Sequence, residues 1–264
     1  MWPDKLQCAV CFTFDFDAET PWIEDNPDNI NRPGVLSMAR YGSQIAIPLI
    51  LDLLERHKIK STFFIPGKVA EDYPHAIEAI SAAGHELAAH GYTHTPPREL
   101  SEDQEEDQLT RTKKILEAFG PKIEGYRAPL WDISKNTLPL LQKHDFRYSS
   151  NLMDDIRPYL HHRTEMIELP VQFLLDDWSL YGLGPGNMEQ KISANSEVRE
   201  IWETEFKGIR ELGGSFVLGM HPQVIGRPSR LKMLDEFISF VKSHENTWIA
   251  TCSDVAKQAR DTLV

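Results

Sequence analysis

The chain alternates short apolar runs with longer segments of helical period. Leu6 to Phe14 is almost unbroken apolar sequence rich in β-formers, which predicts a strand buried on both faces of a parallel sheet. Ser61 to Ile65 predicts a second strand, and Pro66-Gly67 breaks it. A helix carrying Leu49, Leu53 and Leu54 is predicted up to about His57, with Pro48 tolerated in its first turn. Ala76 to Ala83 reads as a helix closed by Gly84, and His85 to His90 as a short buried strand. Ser101 opens a helix through a capping-box pattern with Gln104. Acidic residues come first there, Arg111, Lys113 and Lys114 follow as a solvated face, and Gly120-Pro121 ends it. Further strands are predicted over Lys122–Tyr126, Phe146–Ser150, Met166–Leu169, Ser215–Met220 and Thr247–Thr251, with helices over Ser134–His144, Glu197–Leu212 and Arg230–Ser243. Ala18 to Gly42 shows no clean period and is expected as a long loop overhanging a site. The glycine-rich run from Gly182 lacks a dinucleotide-binding spacing and is expected as a flexible loop.

About eight strands separated by helices predict the α/β class, a single-domain distorted (β/α) barrel of seven or eight strands spanning residues 1–264. In such a barrel the chemistry sits at the C-terminal ends of the strands. Asp15, Asp17, His90, His94, Arg127, Asp177 and His221 all fall just after predicted strands. Taken singly, each has an ordinary structural reading, such as an aspartate capping a turn or an arginine paired on the rim. Seven on one rim favour a site.

His90 and His94 stand four apart, on one face of a helical turn, and Pro96 and Pro97 allow at most one such turn. Two histidines and one carboxylate make three protein ligands with a position left for water, as in a catalytic zinc site. Asp17 is the candidate third ligand, since Asp15 and Asp17 share a face of an extended chain. A divalent ion there would acidify a water and polarise a carbonyl, leaving Asp15 free as general base. Arg127 could hold Asp15 ionised, and His221 could protonate a leaving amine with Asp177 fixing its tautomer and raising its pKa. Trp22, Trp131 and Trp178, with Tyr92, are candidate substrate-binding aromatics that suit sugars or flat rings. Zinc is the expected metal, with cobalt, manganese or nickel as alternatives. The remaining histidines, the His161-His162 pair included, are given no role.

Twenty-eight basic against forty acidic residues, a net charge of −12, argue against nucleic acid or an anionic membrane as partner. The start Met-Trp-Pro-Asp-Lys lacks a secretory pattern, and no window approaches the roughly eighteen apolar residues that cross a bilayer, so a soluble cytoplasmic protein is expected. Cys8, Cys11 and Cys252 are an odd number, which makes a disulfide framework improbable. Cys8 and Cys11 have the spacing of half a zinc site, but within a strand they point to opposite faces, so all three are expected as buried or free thiols.

Thr13-Phe-Asp-Phe-Asp17, His90-x-x-x-His94, Arg127-x-Pro129, Asp177-Trp178 and Leu218-Gly-Met-His221 resemble the five motifs of the polysaccharide deacetylases with NodB homology, carbohydrate esterase family 4. The resemblance spans roughly Leu6 to Gly226. It implies a distorted (β/α) barrel and metal-dependent hydrolysis of an N-acyl group. It assigns Asp15 as base, Asp17, His90 and His94 as metal ligands, Arg127 as orienter of Asp15, and His221 as acid assisted by Asp177. Phe16 separates two aspartates that are adjacent in most of the family, a variant similar to the Helicobacter-type peptidoglycan deacetylase branch and its allantoinase-like and cyclic-imide-hydrolase relatives. That branch implies a homo-oligomer, dimer or tetramer, with neighbouring loops over the site. The substrate expected is an N-acetylated amino sugar of peptidoglycan type, the alternative being ring opening of a cyclic imide or an allantoin-like ureide. A carbohydrate-binding barrel without catalysis and an iron oxygenase using a 2-oxo acid are the other classes weighed.

Overall fold

The computed structural model describes residues 2, 3, 5–182 and 192–263; of the glycine run expected as a loop, all but Gly182 lies outside the described residues. Its strands are β1 (Cys8–Asp15), β2 (Thr62–Ile65), β3 (Glu86–Ala89), β4 (Gly125–Tyr126), β5 (Tyr148–Ser149), β6 (Tyr159–Leu160), β7 (Ile167–Glu168), β8 (Ser215–Met220) and β9 (Thr247–Ile249). They form one sheet in the order β6-β7-β5-β4-β3-β2-β1-β8. Every pairing is parallel except β6 with β7. One edge of β1 is shared: its start pairs with β9 and its end with β2. An isolated parallel bridge from Asp176 to Gly219 lies against β8. The predicted barrel is therefore a curled, parallel-dominated half-barrel. β6, only two residues long, carries no readable period and was not anticipated.

Alternation along β1 sorts the core. Val10, Phe12, Phe14 and Phe16 belong to the larger apolar cluster under the surrounding helices, where Phe14 stacks on Phe63. Ala9 and Cys11 belong to a second cluster with Phe64, Ala88, Tyr148 and Val217, completed by Cys252, Val255, Ala256 and Ala259 of the helix Cys252–Leu263. That C-terminal helix was not predicted; its buried stripe is mostly small residues, with no leucine among them. It is anchored by Glu86 and Thr62, which accept from the backbone N–H groups of Ser253 (3.0 Å) and Cys252 (2.8 Å). The three cysteines are buried and free, as expected.

The segment expected as a loop is helical. It holds Thr20–Asp25, a 3₁₀ turn Pro27–Asn31, Pro33–Tyr41 and a π-turn Gly42–Ala46 that runs into the helix Ile47–His57. Pro21, Pro27 and Pro33 read as breakers in sequence but occupy first or second helical positions, where the absent N–H costs nothing. Trp22, Val35, Leu36 and Ala39 bury together in a third small cluster. The capping box of Ser101 and Gln104 opens the helix Glu102–Leu116 as predicted. Its face is not wholly solvated: Glu105 is buried and accepts from Ser134 Oγ at 2.6 Å and from the Thr137 hydroxyl. Among the described residues, no helix is long and apolar enough to cross a membrane.

Candidate active site

Asp15 ends β1, Phe16 turns into the apolar cluster, and Asp17 follows on Asp15's side. Both aspartates are buried. Arg127, one residue past β4, is fully buried and donates from Nη1 to Asp15 Oδ1 at 2.7 Å and to Thr13 Oγ1 at 2.9 Å. Nη2 donates to Ser150 Oγ at 3.0 Å, and the guanidinium lies 4.0 Å over the Phe64 ring. In a flat sheet β1 and β4 would stand about 14 Å apart, three strand spacings, so this contact requires the curl. Burial alone would push the Asp15 carboxyl up, but Arg127, with His90 and His221, more than offsets it and holds the pKa below the usual value.

His90 leaves β3, and the chain to His94 is not the helical turn the spacing predicts. Gly91 has φ +66° and His94 φ +69°, both left-handed, so the segment doubles back instead of winding. The turn is pinned by Gly67 N–H and Thr112 Oγ1 donating to the Gly91 carbonyl at 3.1 and 2.9 Å, and by Tyr92 N–H donating to Gln108 Oε1 at 3.0 Å. The two rings are nevertheless brought together, their centroids 5.3 Å apart. His90 Nδ1 donates to the Arg127 carbonyl at 2.8 Å, which turns Nε2 toward Asp17 Oδ1 at 3.4 Å. His94 Nε2 lies 3.8 Å from Asp17 Oδ2.

Asp17, His90 and His94 therefore offer ligand atoms within 4.8 Å of one another. Among the described residues, neither oxygen of the buried Asp17 carboxylate has a hydrogen-bond partner. Burial, against the attraction of His221 and with the repulsion of Asp15, Asp177 and Asp176, pushes its pKa up to about 7. Burial lowers His90 to about 4 and, with His90 and His221 beside it, holds His94 well below the ordinary imidazole value, so both rings are neutral and present lone pairs. Unpartnered carboxylate oxygens between two neutral imidazoles fit a divalent cation.

On the other side of Asp17, β8 is followed directly by His221, whose Nδ1 donates to Asp177 Oδ1 at 2.7 Å. The His221 backbone N–H also donates to Asp177, at 3.0 Å to each carboxylate oxygen. Burial opposes the imidazolium, yet Asp177, then Asp176 and Asp17, overcome it and raise the His221 pKa to about 10. Burial leaves Asp177 at about 6, so at neutral pH the proton resides on the histidine. Asp176 caps the short helix Asp177–Tyr181 by accepting from Ser179 N–H at 2.9 Å. His221 Nε2 sits 3.6 Å from Asp17 Oδ2, so all seven polar residues read from the sequence converge.

Above them lies a cavity of about 580 Å³. Trp22, Trp131 and Trp178, the candidate substrate-binding tryptophans, line it, with the Trp178 ring 5.0 Å from the His221 ring and 5.2 Å from that of Trp22. Tyr92 does not line it. Its hydroxyl donates to Glu71 Oε2 at 2.8 Å and Arg111 stacks 3.8 Å over its ring, because the turn at Gly91 aims it away from His90. Sequence reasoning missed Phe173, which lies 5.3 Å from Trp131, and the polar rim of Glu24, Asp25, Arg98 and Asp132. Leu130 and Trp131 both adopt φ +57°, a strained turn for side-chain-bearing residues that no local sequence signal announces.

A family model described as polysaccharide deacetylase matches residues 40–149. A candidate polysaccharide deacetylase from Mycobacterium smegmatis superposes with a TM-score of 0.95 at 38% identity, covering 100% of this chain and 94% of that one. The chain belongs to the polysaccharide deacetylase family. The peptidoglycan deacetylase of Helicobacter pylori is 29% identical over 95% of each chain. The PuuE allantoinase shares the fold, with a TM-score of 0.84 at 23% identity over 99% of this chain and 93% of that one. Polysaccharide deacetylases are hydrolases of carbon–nitrogen bonds other than peptide bonds.

Proposed function

We propose that this polysaccharide deacetylase removes N-acetyl groups from amino sugars of peptidoglycan type, with Asp17, His90 and His94 holding a divalent cation, zinc first among the candidates. The observation that carries the reading is the Asp17 carboxylate, buried without a partner between two neutral imidazoles and flanked by the Asp15–Arg127 and Asp177–His221 pairs. The cation, when bound, would polarise the acyl carbonyl and acidify the attacking water. Asp15, kept ionised by Arg127, accepts the proton of that water as its oxygen adds to the carbonyl carbon. His221, protonated and held by Asp177, gives its proton to the departing nitrogen as the C–N bond breaks, releasing acetate and the sugar amine. Trp22, Trp131 and Trp178 wall the substrate and exclude water. A sugar-binding barrel without catalysis, or an iron oxygenase, leaves the two opposed pairs without a task.

The aromatic walls also support a second reading, ring opening of a cyclic imide or ureide, since a flat ring suits such a slot. The test is a panel of N-acetylglucosamine oligomers beside succinimide, dihydrouracil and allantoin, assayed with and without chelator. Chelator-sensitive acetate release is expected. Ring opening without acetate release selects the second reading. His90→Ala and His94→Ala should each lose bound metal by elemental analysis and turnover together; full activity in either contradicts the assignment.

A further inference from the structure

Behind Arg127 lies a cluster of buried polar residues, Ser149, Ser150, Asn151 and Glu168, none more than 1% exposed. One oxygen of the Glu168 carboxylate accepts from the backbone N–H groups of Asn151 at 2.6 Å and Leu152 at 2.9 Å, the other from His161 Nε2 at 2.9 Å. That fixes the Asn151 backbone. Its side chain is fixed as well: Nδ2 donates to Ser149 Oγ at 2.8 Å, which leaves Oδ1 to accept from the Ala128 N–H at 2.6 Å.

The Ala128 N–H belongs to the same planar peptide unit as the Arg127 carbonyl, and that carbonyl accepts from His90 Nδ1 at 2.8 Å. Asn151 and His90 thus hold the two ends of one rigid group. The chain needs a hold at this point. Among the described residues, the last backbone bond between the ends of β4 and β5 runs from Ser150 N–H to the Tyr126 carbonyl at 3.0 Å, Pro129 has no N–H to donate, and Leu130 and Trp131 then take their strained φ of +57°. Without Asn151 the N–H of the fully buried Ala128 would lose its partner, and the strained turn could relax by rotating this peptide and the His90 acceptor with it.

We propose that Asn151 is a positioning residue for His90. Through the Arg127–Ala128 peptide it keeps the His90 proton on Nδ1 and turns the Nε2 lone pair toward Asp17, while Glu168 keeps Asn151 in place. The inference rests on the metal-site reading given under the proposed function and extends it to two residues that touch neither substrate nor ion. Groups that orient a ligating histidine set its affinity for the cation almost as firmly as the ligand itself.

Tautomer and metal affinity test this role, because neither moves when a variant is merely less stable. In the metal-free protein carrying isotope-labelled histidine, the nitrogen NMR signals of His90, assigned by their absence from His90→Gln, should show Nδ1 protonated and Nε2 bare. Asn151→Leu, which keeps the branched shape without the acceptor, should give a mixture of tautomers and bind zinc about tenfold more weakly in competition with a chromophoric chelator. Asn151→Ala should do the same, whereas Asn151→Asp, which keeps an acceptor for Ala128, should stay within about threefold of the parent. Tyr148→Phe deletes a buried hydroxyl on the same strand, the one that donates to Glu86 at 2.7 Å, and should lower stability with both readouts unmoved. A single His90 tautomer with parental zinc affinity in both Asn151→Leu and Asn151→Ala would overturn the inference, as would an equal loss of zinc in Tyr148→Phe. A parent that takes up no zinc would overturn the metal-site reading instead, and the tautomer spectra would still decide the role of Asn151.

Discussion

The Asp15–Arg127 pair and the Asp177–His221 pair are built from the same contact, a buried carboxylate 2.7 Å from a nitrogen. Their partners differ in one property. Arginine keeps its proton at any working pH, so Asp15 faces a fixed charge and is held as an anion able to accept a proton. Histidine can surrender its proton, so Asp177 instead stabilises a donor, His221 at about 10, which a cation bound beside Asp17 would draw back toward neutrality. In the mechanism proposed above, one fold thus separates base from acid by the choice of basic residue and not by the carboxylate.

The largest effect that sharpens this comparison is on the base. Asp15→Asn should lower kcat by roughly three to four orders of magnitude while metal content stays near that of the parent, because the asparagine keeps the shape and cannot take a proton. A variant retaining a tenth of the activity would break the assignment. His221→Ala should cost roughly two to three orders of magnitude on an alkylamide, and much less on an anilide whose nitrogen leaves without a proton. Asp15→Asn should be equally impaired on both. A reversed pattern exchanges the two roles.

Stability separates the pairs in a different way. Arg127→Met leaves a buried unpaired aspartate and should cost about 3–5 kcal/mol in denaturant unfolding. The sign with pH follows from Asp15 being lowered from 3.8 in the fold: its contribution is present above the unfolded value and is lost as acid takes the solution through the folded one. The gap between parent and Arg127→Met should therefore narrow below about pH 4. Asp177→Asn, which keeps an acceptor for His221, should give the smallest stability loss, about 1 kcal/mol, together with a lowered His221 pKa. Histidine NMR titration of the two proteins checks that shift; an unmoved His221 would remove Asp177 from the account.

Most of this site is legible along the chain because strands put it there. Alternation in β1 sends Phe14 and Phe16 one way and Asp15 and Asp17 the other, and β3, β4 and β8 each end beside a side chain that joins them. Turns were less readable. The His90–His94 spacing named two rings that the fold does bring together, but for a helical reason that does not apply, since Gly91 and His94 take left-handed backbone, and the same turn carries Tyr92 away from the cavity. Prolines at helix starts disguised the Thr20–Tyr41 segment as a loop. The rim of Glu24, Arg98 and Asp132 is assembled from three distant segments, and no local pattern marks it.

The most direct test of the division of labour is leaving-group dependence. Rates for a series of N-acetyl anilides of graded amine basicity would be measured in the parent, His221→Ala and Asp15→Asn. The account predicts a shallow slope in the parent, a markedly steeper one in His221→Ala, and the parent's slope at a lower rate in Asp15→Asn. Equal slopes in the parent and His221→Ala, or a steep one in Asp15→Asn, would contradict it.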